Sequence, residues 1–333
     1  MTPVTLLTGF LGAGKTTLLN RLLHDPAMAG TAVLVNEFGE VGLDHLFIHA
    51  REEETVLLAS GCLCCTIRGD LSRALRDLAS RGVAEGRRFR RVVIETTGLA
   101  DPAPILHTLM RDPMLLRDYR LDGVVTLVDA VAGAATLDAQ EEARRQVAVA
   151  DRILLSKTDL ADPASLLPIL RGLNPVAPIL DAREAGAEAL LDTGPFETAG
   201  KGMAIAGWIE AAGHHHHHHG HHHGHDVNRH DARIRALCLR FEEPLPWEGV
   251  AGYIEMLAMT HGAQMLRTKG ILNVKGEAGP VVVHGVQHSF HPPQRLAEWP
   301  AGDDRSSRLV FILRDLDPRV VEEGLRAFIG AAA

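Results

Sequence analysis

The chain has 333 residues, enough for about two domains, and 46% hydrophobic against 23% charged residues suits a core that needs no disulfide staples. A net charge of −8 argues against a general nucleic-acid binder. No run of 18 apolar residues occurs, so no membrane span or membrane partner is expected. Potential metal ligands are concentrated in two places. Ten of the 19 histidines lie in His214–His225, and three of the four cysteines are Cys62, Cys64 and Cys65.

In chain order, Val4–Thr8 is a short apolar run that leads into a glycine loop. Lys15–His24 then repeats Leu18, Leu19, Leu22 and Leu23 at helical spacing. Ala32–Val35, Val56–Leu58, Val92–Ile94, Val124–Val128 and Ile153–Leu155 predict buried strands, with helices over Gly69–Arg81, Ala103–Arg111 and Gln140–Ala150 between them. Strands alternating with helices predict an α/β fold with a mostly parallel sheet covered on both faces. After the low-complexity stretch, Ala232–Phe241, Gln264–Val274, Val281–Val286 and Arg308–Leu313 read as strands. Trp247–Thr260 and Pro318–Ile329 read as helices, giving a smaller α+β C-terminal domain. The expected division is 1–205, a His-rich linker over 206–231, and 232–333. The N-terminus has no basic segment or cleavage site, and the clustered thiols suit a reducing compartment, so a cytoplasmic location is expected.

Gly9-Phe-Leu-Gly-Ala-Gly-Lys15-Thr16-Thr17 fits G-x-x-x-x-G-K-[ST]. Gly9, Gly12, Ala13 and Gly14 let backbone N–H groups surround a polyphosphate, and Lys15 neutralises its β and γ groups. Thr16 can ligate Mg²⁺, and Thr17 is a further candidate phosphate contact. A phosphate loop of this kind needs an acid near Mg²⁺ and a sensor of the γ-phosphate. Glu95, followed by Gly98 three residues later, is the favoured pair, and Asp129 at another strand end is a rival acid. Ser156-Lys157-Thr158-Asp159 follows a strand. Its carboxylate can accept the paired N–H donors that guanine has and adenine lacks, so GTP is expected. Ser156 stands where the usual first residue of this signal is Asn.

Gly61-Cys62-Leu63-Cys64-Cys65 places three thiols in one turn-sized segment. Thiolates suit Zn²⁺ and also bind Co²⁺ or Ni²⁺, and three of them leave one tetrahedral position open for release. The Asn36–Asp44 segment, with Glu37, Glu40 and Asp44, reads as an acidic loop that could act as a switch. The histidine tract is internal and interrupted by glycines, unlike an appended tag. It reads as a weak auxiliary metal collector or as a flexible spacer. Cys238 reads as a core residue. His261, His284, His288 and His291 read as structural or surface residues.

Together, GFLGAGKTT, NEFGEVGLD, GCLCC, ETTGLADP and SKTD resemble the CobW family of P-loop GTPases, relatives of UreG and HypB. The resemblance extends through the linker to the C-terminal domain. It implies a metal site at Cys62, Cys64 and Cys65, an ExxG element at Glu95 and Gly98, and a guanine motif at Lys157 and Asp159. It further implies GTP hydrolysis coupled to loading a metal and delivering it to a client metalloenzyme or cobaltochelatase, and since no catalytic base stands out in the sequence, slow turnover is expected. The histidine tract and Asp226–Asp231 look most like the cobalamin branch, with Co²⁺ as cargo. A zinc metallochaperone, or a histidine-rich storage protein with a regulatory nucleotide site, is the alternative.

Overall fold

A computed structural model describes residues 1–36, 57–60, 67–84, 89–191, 233–299 and 302–333. Cys62, Cys64, Cys65, residues 37–44, the tract His214–His225 and the expected boundaries at 205/206 and 231/232 lie outside the described residues. Two compact units form, Met1–Ile169 with Ala177–Glu197, and Leu170–Val176 with Thr198–Ala333.

In the first unit the strands are β1 (Thr2–Gly9), β2 (Thr31–Asn36), β3 (Leu57–Ser60), β4 (Arg91–Glu95), β5 (Tyr119–Asp129), β6 (Arg152–Ser156) and β7 (Ile179–Asp181). They make one parallel sheet in the order β3-β2-β4-β1-β5-β6-β7. The helices are α1 (Lys15–Leu22), α2 (Ile67–Ala84), α3 (Ala103–Arg111), α4 (Gly133–Ala139) and α5 (Glu141–Ala148), while α6 (Leu166–Leu173) begins in this unit and ends among the residues of the second. Val4, Leu6, Leu7, Val92, Val93 and Ile94 are all buried, and so are Thr5 and Thr8. Burial of consecutive residues is what a strand covered on both faces requires, and it explains why these runs do not alternate.

Two sequence expectations change in detail. The helix expected over Gln140–Ala150 is α5, which begins one residue later because the Gln140 backbone is extended (φ −120°, ψ 116°), and α4 before it was not anticipated. β7 and α6 were not anticipated. β7 has only three residues, too few to show a period, and Pro168 and Gly172 mask α6 as a breaker-rich stretch.

The parallel register brings the strand ends level. Leu7 and Val35 both pair with Glu95, Asn36 pairs with Ser60, and Asp129 pairs with Ser156. The C-terminal ends of these strands therefore lie at one edge of the sheet. The strand order reverses at β1, where β4 flanks one side and β5 the other. Such a switch point is where open α/β sheets bind ligands.

The second unit has strands β8 (Ile234–Phe241), β9 (Met265–Leu272), β10 (Val281–Val286), β11 (Ser289–Phe290), β12 (Gln294–Arg295) and β13 (Ser307–Arg314), with helices α7 (Trp247–His261) and α8 (Pro318–Ala331). Its sheet is antiparallel in the order β11-β10-β9-β13-β8, with β12 on β10. Val250, Tyr253 and Leu257 of α7 and Val321 and Leu325 of α8 share a core with Leu309, Phe311 and Leu313 of β13. Asp317 caps α8 by accepting from Arg319 N–H at 3.0 Å, and Pro318 supplies the first-turn φ. Removing the Phe311 ring from this core costs about 3–5 kcal/mol. Among the described residues, no helix is long and apolar enough to cross a membrane.

Candidate functional site

The phosphate loop turns between β1 and α1 on residues with positive φ: Gly9 at 142°, Gly12 at 77° and Gly14 at 90°. At Gly9 a second constraint acts, because a Cβ there would lie 2.4 Å from the Leu127 carbonyl oxygen. Only glycine fits where β1 passes so close to β5. Ala13 is buried. Lys15 is buried too, with its Nζ donating to the carbonyls of Gly9 at 2.8 Å and Phe10 at 3.3 Å. The ammonium thus lies across the loop it closes. Thr17 is exposed in the first turn of α1.

The Thr16 hydroxyl donates to Glu95 Oε1 at 2.6 Å. Glu95, the last residue of β4, is only 4% exposed. Of the two candidate acids, then, Glu95 meets the threonine. Asp129 is engaged elsewhere: Lys157 Nζ pairs with its Oδ2, while its Oδ1 accepts from Val131 N–H at 2.7 Å. Burial raises the Asp129 carboxyl, but Lys157 and the amides of Val131 and Ala132 outweigh it and hold the group below its ordinary range.

Gly98 lies against the phosphate loop, where a Cβ would come within 2.4 Å of Leu11 N. On the other side of the loop, the guanine motif begins at Ser156, whose hydroxyl donates to the Ala13 carbonyl at 2.7 Å. The serine that departs from the usual Asn therefore ties the end of β6 to the phosphate loop. Lys157 adopts φ 57°, and Asp159 is exposed beyond it. Thr158 donates to Asp181 Oδ2 at 2.7 Å, joining this motif to the end of β7.

Sequence reasoning missed three residues. Asp181 holds Thr158 and also accepts from Arg183 N–H at 2.8 Å. Arg21 on α1 donates to the carbonyls of Ala182 at 2.5 Å and Ala185 at 2.8 Å. Gln146 on α5 donates to the carbonyls of Gly98 and Ala100. Gln146 left a trace in the sequence, because with Ala143 and Val147 it occupies the apolar face of its helix, where a polar residue needs a reason. Arg21 and Asp181 left none. The remaining cysteine, Cys238, is half-buried in β8, and burial pushes its thiol up to about 11.

The family model described as "CobW/HypB/UreG, nucleotide-binding domain" matches residues 3–180, and "Cobalamin synthesis protein cobW C-terminal domain" matches residues 234–329. The chain belongs to the CobW/HypB/UreG family. It is a P-loop GTPase of that family, with the parallel sheet and the antiparallel C-terminal unit both present. It is 34% identical over 330 residues to the zinc chaperone YjiA of Escherichia coli (strain K12), covering 97% of this chain and 98% of the relative. A protein named zinc chaperone CobW from Pseudomonas aeruginosa is 32% identical over 358 residues, covering 97% of this chain and 90% of that one. The crystal structure described as Zn(II)-bound YjiA GTPase from E. coli superposes with a TM-score of 0.70 at 30% identity, over 100% of this chain and 99% of that one.

Proposed function

We propose that this protein is a GTP-hydrolysing zinc chaperone that holds Zn²⁺ at Cys62, Cys64 and Cys65 and hands it to a client metalloprotein. The observation that carries the reading is the register of the sheet. Ser60, the residue before Gly61-Cys62-Leu63-Cys64-Cys65, ends its strand at the edge where Glu95 and the phosphate loop lie. The three thiols follow that strand end by two to five residues in sequence, which is the basis for coupling them to the nucleotide.

Each residue of the loop has a defined task. Lys15 exchanges its contacts with the Gly9 and Phe10 carbonyls for phosphate oxygens, and the N-terminus of α1 adds its dipole. Mg²⁺, when bound, would be held by the Thr16 hydroxyl and the Glu95 carboxylate, and it would neutralise charge between the β and γ phosphates. A hydroxyl and a carboxylate are the hard oxygen donors that this ion takes. Asp159 and Lys157 recognise the guanine base, Ser156 keeps that motif at a fixed distance from the phosphates, and Gly98 reports the γ-phosphate.

Zinc is favoured over the Co²⁺ read from the sequence because three relatives that match along nearly the whole chain are named zinc chaperones, two of them carrying the name CobW. Thiolate chemistry alone does not choose between the two ions. The tract His214–His225 serves as an auxiliary collector in this scheme.

Coupling is tested by measuring Zn²⁺ affinity with a non-hydrolysable GTP analogue and again with GDP. The analogue is expected to tighten Zn²⁺ binding by about tenfold or more, and Zn²⁺ must tighten the analogue by the same factor. Equal affinities in the two nucleotide states would break the chaperone reading. Several tight ions per chain, together with hydrolysis indifferent to metal, would favour storage instead.

A further inference from the structure

The loop from Glu95 to Asp101 is pinned at three points. At its start, Thr96 N–H donates to the Leu7 carbonyl at 3.0 Å, and the Thr96 hydroxyl donates to Thr8 Oγ1 at 2.9 Å. At its end, Asp101 accepts from Ala103 N–H at 2.9 Å and pairs with Arg145 at 2.9 Å. Between these anchors, Gln146 Nε2 donates to the Gly98 carbonyl and the Ala100 carbonyl, each at 3.0 Å. A primary amide has two hydrogens, so both are committed to this one loop.

Gln146 is 1% exposed, and its own main-chain carbonyl accepts from Thr126 Oγ1 at 2.8 Å, which seats α5 on β5. Its Oε1 is buried and has no hydrogen-bond partner among the described residues. A residue whose only task was to fill space would be apolar here, because a buried oxygen without a partner is costly. The cost is offset by what the amide nitrogen does. Fixing the Gly98 carbonyl toward α5 fixes the plane of the Gly98–Leu99 peptide, and the Leu99 N–H then faces away from α5. Gly98 itself lies on Leu11 of the phosphate loop, where not even a methyl group has room.

We infer that Gln146 is a positioning residue for GTP hydrolysis, holding the Gly98–Ala100 segment in register against the phosphate loop. It touches no reacting atom; it acts through the two carbonyls. The inference rests on the GTPase reading above.

The experiment compares hydrolysis by the full-length wild type, Q146E and Q146L between pH 5.5 and 8.5, with GDP affinity and melting temperature measured on the same samples. The carboxylate of Q146E keeps the shape but turns two acceptors toward two carbonyls. Q146L removes the donors without adding charge, so it keeps the question open to an answer if Q146E is poorly folded. Both variants are expected to lose about tenfold or more in kcat at pH 8 while KM and GDP affinity stay within about twofold. As pH falls, the Q146E acid form regains one donor, so its rate relative to wild type should climb, whereas that of Q146L should stay flat. A kcat for Q146L within about twofold of wild type overturns the inference. A loss shared equally by kcat and GDP affinity, with no recovery of Q146E in acid, overturns it as well. A wild-type chain that hydrolyses no GTP strikes at the parent reading first, which separates the two failures.

Discussion

Glu95 and His284 are both titratable groups buried within a sheet, 4% and 1% exposed, in opposite surroundings. Glu95 ends a parallel strand, where the phosphate loop and the first turn of α1 arrive with a hydroxyl to donate. His284 sits inside β10, paired across the sheet with Lys269 and 5.2 Å between ring centres from His291. Burial first, then the Arg267 guanidinium, His291 and Lys269, drive its pKa well below the ordinary value. The difference is one of topology. A parallel sheet gathers its strand ends at one edge, where polar groups can exchange protein partners for a ligand. Inside the antiparallel sheet, His284 is driven toward its neutral form instead.

The comparison breaks most sharply at glycine. At Gly9 a new Cβ would strike the backbone oxygen of Leu127 at 2.4 Å, and φ is 142°. At Gly270 it would strike side chains, Leu309 Cδ2 at 2.6 Å and Val283 Cγ2 at 2.7 Å. Gly9→Ala should therefore cost about 3 kcal/mol or more, and Gly270→Ala about 1–2 kcal/mol, because side chains can shift and a ladder carbonyl cannot. All three tryptophans, Trp208, Trp247 and Trp299, follow the nucleotide unit in sequence. Urea unfolding followed by tryptophan emission thus reports the second unit, and loss of GDP binding reports the first. Equal costs for the two variants would erase the distinction.

A smaller effect sharpens the electrostatic half of the comparison. The unfolded chain protonates His284 near pH 6.5, and the folded chain only well below that. Between those values the unfolded state binds more protons. The contribution is therefore complete above about pH 6.5 and is lost as pH falls, by at most about 1.4 kcal/mol per pH unit. Melting temperatures read by tryptophan emission should drop from pH 7 to pH 5, and H284Q should flatten that slope. An unchanged slope in the variant would assign the acid sensitivity to other groups. Asp129, held below its ordinary range, keeps its contribution until pH falls toward about 4, where protonation begins to remove it.

The smallest expected effect lies at Ser156. Ser156→Ala removes the hydroxyl that donates to the Ala13 carbonyl, worth about 0.5–1.5 kcal/mol. GDP affinity should weaken by roughly two- to tenfold, with the second unit's unfolding unchanged. Unaltered affinity would mean that the phosphate loop needs no tether to β6.

Much of the fold was legible because its signals are local. The phosphate loop is a contiguous run in which each residue type has its own physical reason, and the strand and helix of the second unit's β10 and α7 fall where their patterns place them. α4 went unread because Gly133-Ala-Ala-Thr-Leu-Asp-Ala139 offers a single large apolar side chain and so no helical period. The three residues of β7 carry no period at all. Gln146 could be noticed but not interpreted, because its partners, Gly98 and Ala100, are 48 and 46 residues away.

The sequence by itself determined the family, the phosphate loop, and an α/β fold followed by a smaller α+β one. Those depend on composition and short-range spacing. It favoured Glu95 over Asp129 without showing what either acid meets. Only the tertiary structure pairs Thr16 with Glu95 and Asp129 with Lys157. It also decided that Ser156 reaches Ala13 and that Gln146 reaches Gly98. These pairings follow from the order β4-β1-β5-β6, which is set by how helices cover both faces of the whole sheet, and no local window of sequence contains that order.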